Sequence, residues 1–131
     1  MKIGTLYTFG YATVRTTEGL RELLDDKVDL VMDVRINRFS GLIPFSKRTQ
    51  ETVEAAGYAY VWVKELGNAG HRRPGPMRLV DPSAVKVVVD ELRAGRNVAL
   101  MCACANIWHC HRRLVSELAR EAIPNLDVVN L

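Results

Sequence analysis

The sequence predicts an α/β fold, a single-domain three-layer sandwich with a mostly parallel sheet of about five strands and helices on both faces. Three observations carry that prediction. Short apolar runs alternate along the chain with longer amphipathic ones. One of the short runs, Leu30-Val31-Met32, is apolar without alternation, as expected of a strand buried on both faces. The length of 131 residues, 48% of them hydrophobic and 25% charged, suits one ordinary globular domain spanning residues 1–131.

Element by element, Ile3 to Phe9 reads as a strand ended by Gly10. Thr16 or Thr17 caps a helix over Glu18 to Asp26, with Leu20, Leu23 and Leu24 on one face. Asp29 to Val34 is the second strand. Ser46 precedes a second helix that runs to Ala56 and ends at Gly57. Tyr58 to Val63, rich in aromatic and β-branched residues, is the third strand. Asp81-Pro82 starts a helix, Asp as N-cap and Pro in the first turn. That helix turns Val85, Val88, Val89 and Leu92 inward and stops at Gly95. Asn97 to Met101 is the fourth strand, His111 to Ala122 the fourth helix and Leu126 to Val129 a short last strand. The pattern does not fix the strand order.

Composition excludes several classes. Three cysteines are too few for a disulfide-dense secreted scaffold, and the hydrophobic content excludes intrinsic disorder. No run approaches the ~18 apolar residues of a membrane span, and the opening stretch is too short for a signal-peptide core. A cytoplasmic protein with no membrane partner is the expectation.

In open parallel sheets, ligands bind beyond the carboxyl ends of the strands. The chemically unusual residues fall there: Gly10-Tyr11 after the first strand, Asp33-Val34-Arg35 and Arg38 after the second, Lys64-Glu65 and His71-Arg72-Arg73 after the third, Cys102-Ala103-Cys104 and then Cys110-His111-Arg112 after the fourth. Taken singly, each has a plain structural reading: Tyr11 as a core aromatic, Asp33 and Arg35 as a surface ion pair, Glu65 as a solvated loop residue. Their common placement on one rim favours a site. Charge points the same way. Residues 35–48, 64–80 and 109–113 hold ten basic and one acidic side chain, a net of +9, while the remainder carries −6. The total of +3 is a cancellation, and the cationic rim implies an anionic partner: phosphate, nucleotide or nucleic acid.

The segment from Cys102 to Arg113 holds all three cysteines and two of the three histidines. Cys102, ending an apolar strand, is equally readable as a buried small hydrophobe. Cys110 stands at a helix start, where the dipole, His111 and Arg112 favour a thiolate. The same helix start would accept a phosphate, Arg112 giving a forked contact. Three chemistries compete: a thiolate nucleophile, a reversible Cys102–Cys110 redox pair, and a zinc site built from Cys102, Cys104, Cys110 and one of His109 or His111. The Cys-to-Arg spacing does not fit the six-position phosphate loop of tyrosine phosphatases and rhodaneses, and without paired Cys-x-x-Cys knuckles the zinc signal is weak, so no metal is expected.

In order along the chain, Gly10-Tyr11, Asp33-Val34-Arg35 with Arg38, Phe45-Ser46-Lys47, Tyr60 leading to Glu65-Leu66-Gly67, and Cys102-Ala103 eight residues before Cys110-His111-Arg112 resemble the domain-of-unknown-function family 488 nearly end to end. The resemblance implies an α/β fold and a shared site, with no assigned reaction or cofactor. Where this chain has Cys104 and Asn68, the family usually has an acid and often a second Gly. Position 104 is therefore not an acid-base candidate here. Two functional readings result. In one, an enzyme or a degenerate relative acts on a phosphate-bearing ligand. Cys102 or Cys110 is its nucleophile or redox group and Asp33 or Glu65 its general base. Tyr11, Arg35, Arg38, His111 and Arg112 bind the ligand. In the other, the basic loops make a non-catalytic nucleic-acid-binding module. On the first reading, Arg112→Ala abolishes anion binding at a nearly unchanged melting temperature.

Overall fold

The computed structural model describes residues 2–11, 14, 16–36, 49–69, 76–102 and 110–131. The chain runs β1 (Leu6–Gly10), α1 (Thr17–Leu24), β2 (Leu30–Asp33), α2 (Thr49–Ala55), β3 (Ala59–Trp62), α3 (Val85–Arg93), β4 (Val98–Cys102), α4 (Arg112–Ala122) and β5 (Val128–Asn130). The five strands form one parallel sheet in the order β3-β2-β4-β1-β5. The fold is thus α/β, as the alternation predicts.

The order follows from two runs of right-handed crossovers in opposite directions. The chain steps one way through β1, β2 and β3, then back to insert β4 between β2 and β1 and finish at β5. Reversal puts α1 and α2 on one face and α3 and α4 on the other. Residues of β4 alternate accordingly. Ala99 and Met101 pack with Leu20 and Leu24 of α1 and Val53 of α2, while Val98, Leu100 and Cys102 pack with Val88 and Leu92 of α3 and Val115 of α4. Every residue of β2 and β4 is buried, which accounts for their unbroken apolar runs. The outer β3 is only partly buried.

Local signals act where expected. The Thr16 hydroxyl accepts the Gly19 N–H at 2.9 Å and caps α1. Asp81 caps the chain at Pro82, but the first turn, Pro82–Ala84, is a 3-10 turn that becomes α-helix only at Val85. Gly57 and Gly95 follow α2 and α3 with φ of 102° and 89°, the left-handed conformation a glycine adopts without strain. A second 3-10 turn, Lys64–Leu66, follows β3. Beyond it the chain makes an antiparallel bridge, Asn68 to Leu79, with Ala69 N–H donating to the Arg78 carbonyl at 2.8 Å. No helix among the described residues is long and apolar enough to cross a membrane.

Candidate functional site

Neighbouring β2 and β4 lead to helices on opposite faces of the sheet, so a crevice opens between their carboxyl ends, the place where ligands bind in folds of this kind. Asp33 ends β2 and Cys102 ends β4. Side chains alternate along a strand, and these two fall on different faces. Each gathers its own group.

On the α1/α2 side, Asp33 is fully buried and Arg35 is 6% exposed. The Arg35 fork donates to both carboxylate oxygens, Nε to Oδ1 at 2.8 Å and Nη2 to Oδ2 at 2.6 Å. Nη1 also donates to the Tyr11 hydroxyl at 3.2 Å and Nη2 to Thr49 Oγ1 at 3.0 Å. The Tyr60 hydroxyl donates to Asp33 Oδ2 at 2.6 Å, and the Trp62 indole N–H donates to the Arg35 carbonyl at 2.8 Å. Arg35 also lies 5.0 Å from the centre of the Tyr11 ring. Burial works against the guanidinium charge, but the hydrogen bonds and charge of Asp33, with help from Tyr11, outweigh it and raise the pKa above the ordinary arginine value. The pair is charged and buried, and each partner compensates the other.

On the α3/α4 side, Cys102 and Cys110 are thiols whose Sγ atoms lie 2.7 Å apart, both buried. Arg112 Nε donates to Cys110 Sγ at 3.2 Å, and Arg112 is itself 2% exposed. The Cys110 carbonyl accepts the Arg113 N–H at 3.1 Å, and the His111 carbonyl the Val115 N–H at 3.1 Å. Both residues therefore belong to the entry turn of α4. His111 Nδ1 lies 2.9 Å from the Leu66 carbonyl oxygen, tying that turn to the 3-10 turn after β3. Ser116 Oγ donates to the Arg112 carbonyl at 2.9 Å, one turn into the helix.

The chain matches the family described as Domain of unknown function DUF488 over residues 15–119. It belongs to that family. No curated protein and no solved structure gives a match.

For this DUF488 chain the rim residues singled out by sequence therefore divide in two. Tyr11, Asp33 and Arg35 come together, and Cys102, Cys110, His111 and Arg112 come together. Hydrogen bonds between described residues stay within each group. Asp33 and Arg35 are a buried bidentate pair, not a surface one. Tyr11 is both the core aromatic and a polar contact, its ring buried and its hydroxyl on Arg35. Glu65 is partly exposed in the 3-10 turn, its carbonyl accepting the Asp81 N–H at 2.8 Å. Arg38, His71, Cys104 and His109 lie outside the described residues. Burial of Arg112 revises one expectation: its removal would leave a large cavity beside Cys110, so a nearly unchanged melting temperature is not expected.

Sequence reasoning passed over Thr49 and Trp62 and met Tyr60 only within the family pattern. The signal was present for two of them, since Tyr60 and Trp62 stand two apart on one strand and share a face. A groove of about 220 Å³, lined by Asp29, Leu30, Ala59, Val61 and Arg96 among others, lies at the opposite, amino end of β2 and β3 and is no part of either group.

Proposed function

We propose that this protein is a thiol-dependent enzyme acting on a phosphate-bearing ligand, nucleotide or nucleic acid, at the carboxyl edge of the sheet. Cys110 is the reacting thiolate and Cys102 the neighbour that shares its proton. One observation carries the reading. Cys110 Sγ stands 2.7 Å from Cys102 Sγ and accepts from Arg112 Nε at 3.2 Å, at the start of a helix. The Arg112 guanidinium beside the sulfur and the helix start are the features of this site that favour the charged form of a thiol. Support for the ligand comes from the crevice between β2 and β4 and from the net +9 that the sequence carries over residues 35–48, 64–80 and 109–113. Arg35 serves as scaffold in this reading, because its fork is engaged by Asp33. Anion contact then falls to Arg112 and to the basic residues of those segments.

Iodoacetamide labelling of the reduced, native chain in a Cys104→Ala background, read by peptide mass, tests this. The expected result is one carboxamidomethyl group on Cys110, formed more slowly in the presence of inorganic phosphate or a nucleoside monophosphate, and absent in Cys110→Ser. Labelling of Cys110 only after denaturation would end the thiol reading. Native labelling indifferent to both anions would end the phosphate reading. Nucleic-acid binding that survives Cys110→Ser and falls steeply with salt would favour the non-catalytic module instead.

A further inference from the structure

The thiol reading gives His111 no task, although its ring is buried beside both sulfurs. The donor atoms of Cys102, Cys110 and His111 all lie within 4.8 Å of one another. A carbonyl oxygen only accepts, so the contact of His111 Nδ1 with the Leu66 carbonyl places a proton on Nδ1. Histidines that ligate metals through one ring nitrogen commonly have the other held by a backbone carbonyl, as Nδ1 is here. Cys102 is anchored at the end of the central strand, and Cys110 and His111 at the entry to α4, so the core itself makes the three donors converge.

We infer that Cys102, Cys110 and His111 form a binding site for a thiophilic, tetrahedral divalent cation of the zinc class. Two sulfurs and one imidazole nitrogen are a soft donor set, with no carboxylate to suit magnesium or calcium. Among the described residues three protein donors converge, which leaves one position of a tetrahedral ion to a further ligand. Two thiolates on one tetrahedral zinc stand about 3.8 Å apart at a Zn–S length of about 2.3 Å. The sulfurs, 2.7 Å apart, would therefore part by about 1 Å on binding. The Arg112 N–H on Cys110 Sγ is compatible with coordination, since it donates to a sulfur that carries negative charge. Both sulfurs become ligands, so metal occupancy and thiol reaction exclude each other. This last consequence, reversible inhibition by the metal, rests on the enzyme reading above.

Titration of the reduced, metal-stripped full chain with Co²⁺ tests the site without reference to activity. One equivalent should produce a thiolate-to-cobalt charge-transfer band and the intense d–d absorption of a tetrahedral complex, both bleached by one equivalent of Zn²⁺. Cys102→Ser and Cys110→Ser should each abolish the charge-transfer band at stoichiometric cobalt. His111→Gln, checked for folding by circular dichroism, should leave a weaker complex with an altered d–d pattern. Folded, reduced wild type that shows no charge-transfer band would overturn the inference. So would bands that persist in the Cys102→Ser/Cys110→Ser double variant. The two readings fail separately. Cobalt bands with no native iodoacetamide adduct would keep the site and remove the enzyme, and an adduct without bands would do the reverse.

Discussion

The two groups at the carboxyl edge, only one strand apart, bury polar chemistry in opposite ways. On the α1/α2 side a formal charge pair is enclosed by a bidentate fork, two tyrosine hydroxyls, a threonine and an indole N–H. On the α3/α4 side two thiols, an imidazole and a guanidinium meet through softer, sulfur-based contacts, one of them the 3.2 Å approach of Arg112 to sulfur. The first arrangement is costly to disturb, because each charge is tolerated only through the other. The thiols of the second are cheap to disturb, because a thiol packs much like a small hydrophobe. Burial alone therefore does not distinguish a site from a scaffold. What distinguishes them is whether the polar groups complete one another or offer atoms for chemistry.

The largest expected effect breaks the charge pair. Asp33→Ala strands a buried guanidinium and should cost about 3–5 kcal/mol in urea unfolding at neutral pH. Replacing both partners, Asp33→Leu with Arg35→Met, should recover most of that loss, as buried pairs exchanged for apolar residues of similar volume often do. A single variant that unfolds like wild type would mean that Arg35 finds another anion or turns to solvent, and the scaffold role would lapse.

Much smaller effects are expected across the sheet. Cys102→Ala or Cys110→Ala removes one buried heavy atom and should cost about 1 kcal/mol, with thermal unfolding still cooperative. The comparison sharpens if the same variants erase both iodoacetamide and cobalt chemistry while Asp33→Leu/Arg35→Met retains them. A loss of several kcal/mol at Cys102 would place structural weight on the thiol side and blur the division.

That division was only half legible in the sequence. The unbroken run Leu30-Val31-Met32, the Thr16 cap and the Asp81-Pro82 start identify elements by local physics, and the structure places each close to its expected bounds. The family pattern was legible too, because it rests on residue types in order. The faces were not. Asp33 and Cys102 each end a strand, but which parity meets which helix layer depends on β4 inserting between β2 and β1, and parallel strands share one pattern whatever their order. A common rim in the sequence thus became two groups in space. The anchor of His111 is a backbone carbonyl, that of Leu66, which no residue type announces. Thr49 joins the charge pair across the segment 37–48, through a contact that no spacing predicts.

The smallest effect concerns pH, and it belongs to the α1/α2 side. The Tyr58 hydroxyl donates to the Asp25 carbonyl, joining the end of α1 to the start of β3. Burial raises its pKa, and the nearby Asp25 charge raises it further, while Arg21 acts in the opposite direction. The unfolded chain therefore releases this proton first, near the ordinary tyrosine value of about 10. The stability linked to the neutral hydroxyl is complete below that pH and declines as pH rises toward the folded-state value. Tyr58→Phe should lower stability at neutral pH by about 1 kcal/mol, through loss of one partly buried hydrogen bond. The same change should flatten the alkaline limb of a stability-against-pH curve measured by denaturant titration. Parallel curves for wild type and Tyr58→Phe above pH ~10 would move the alkaline sensitivity away from this tyrosine. If Cys102→Ala then flattened the curve instead, the thiol side would be the pH-sensitive half of the edge and the contrast between the two groups would have to be redrawn.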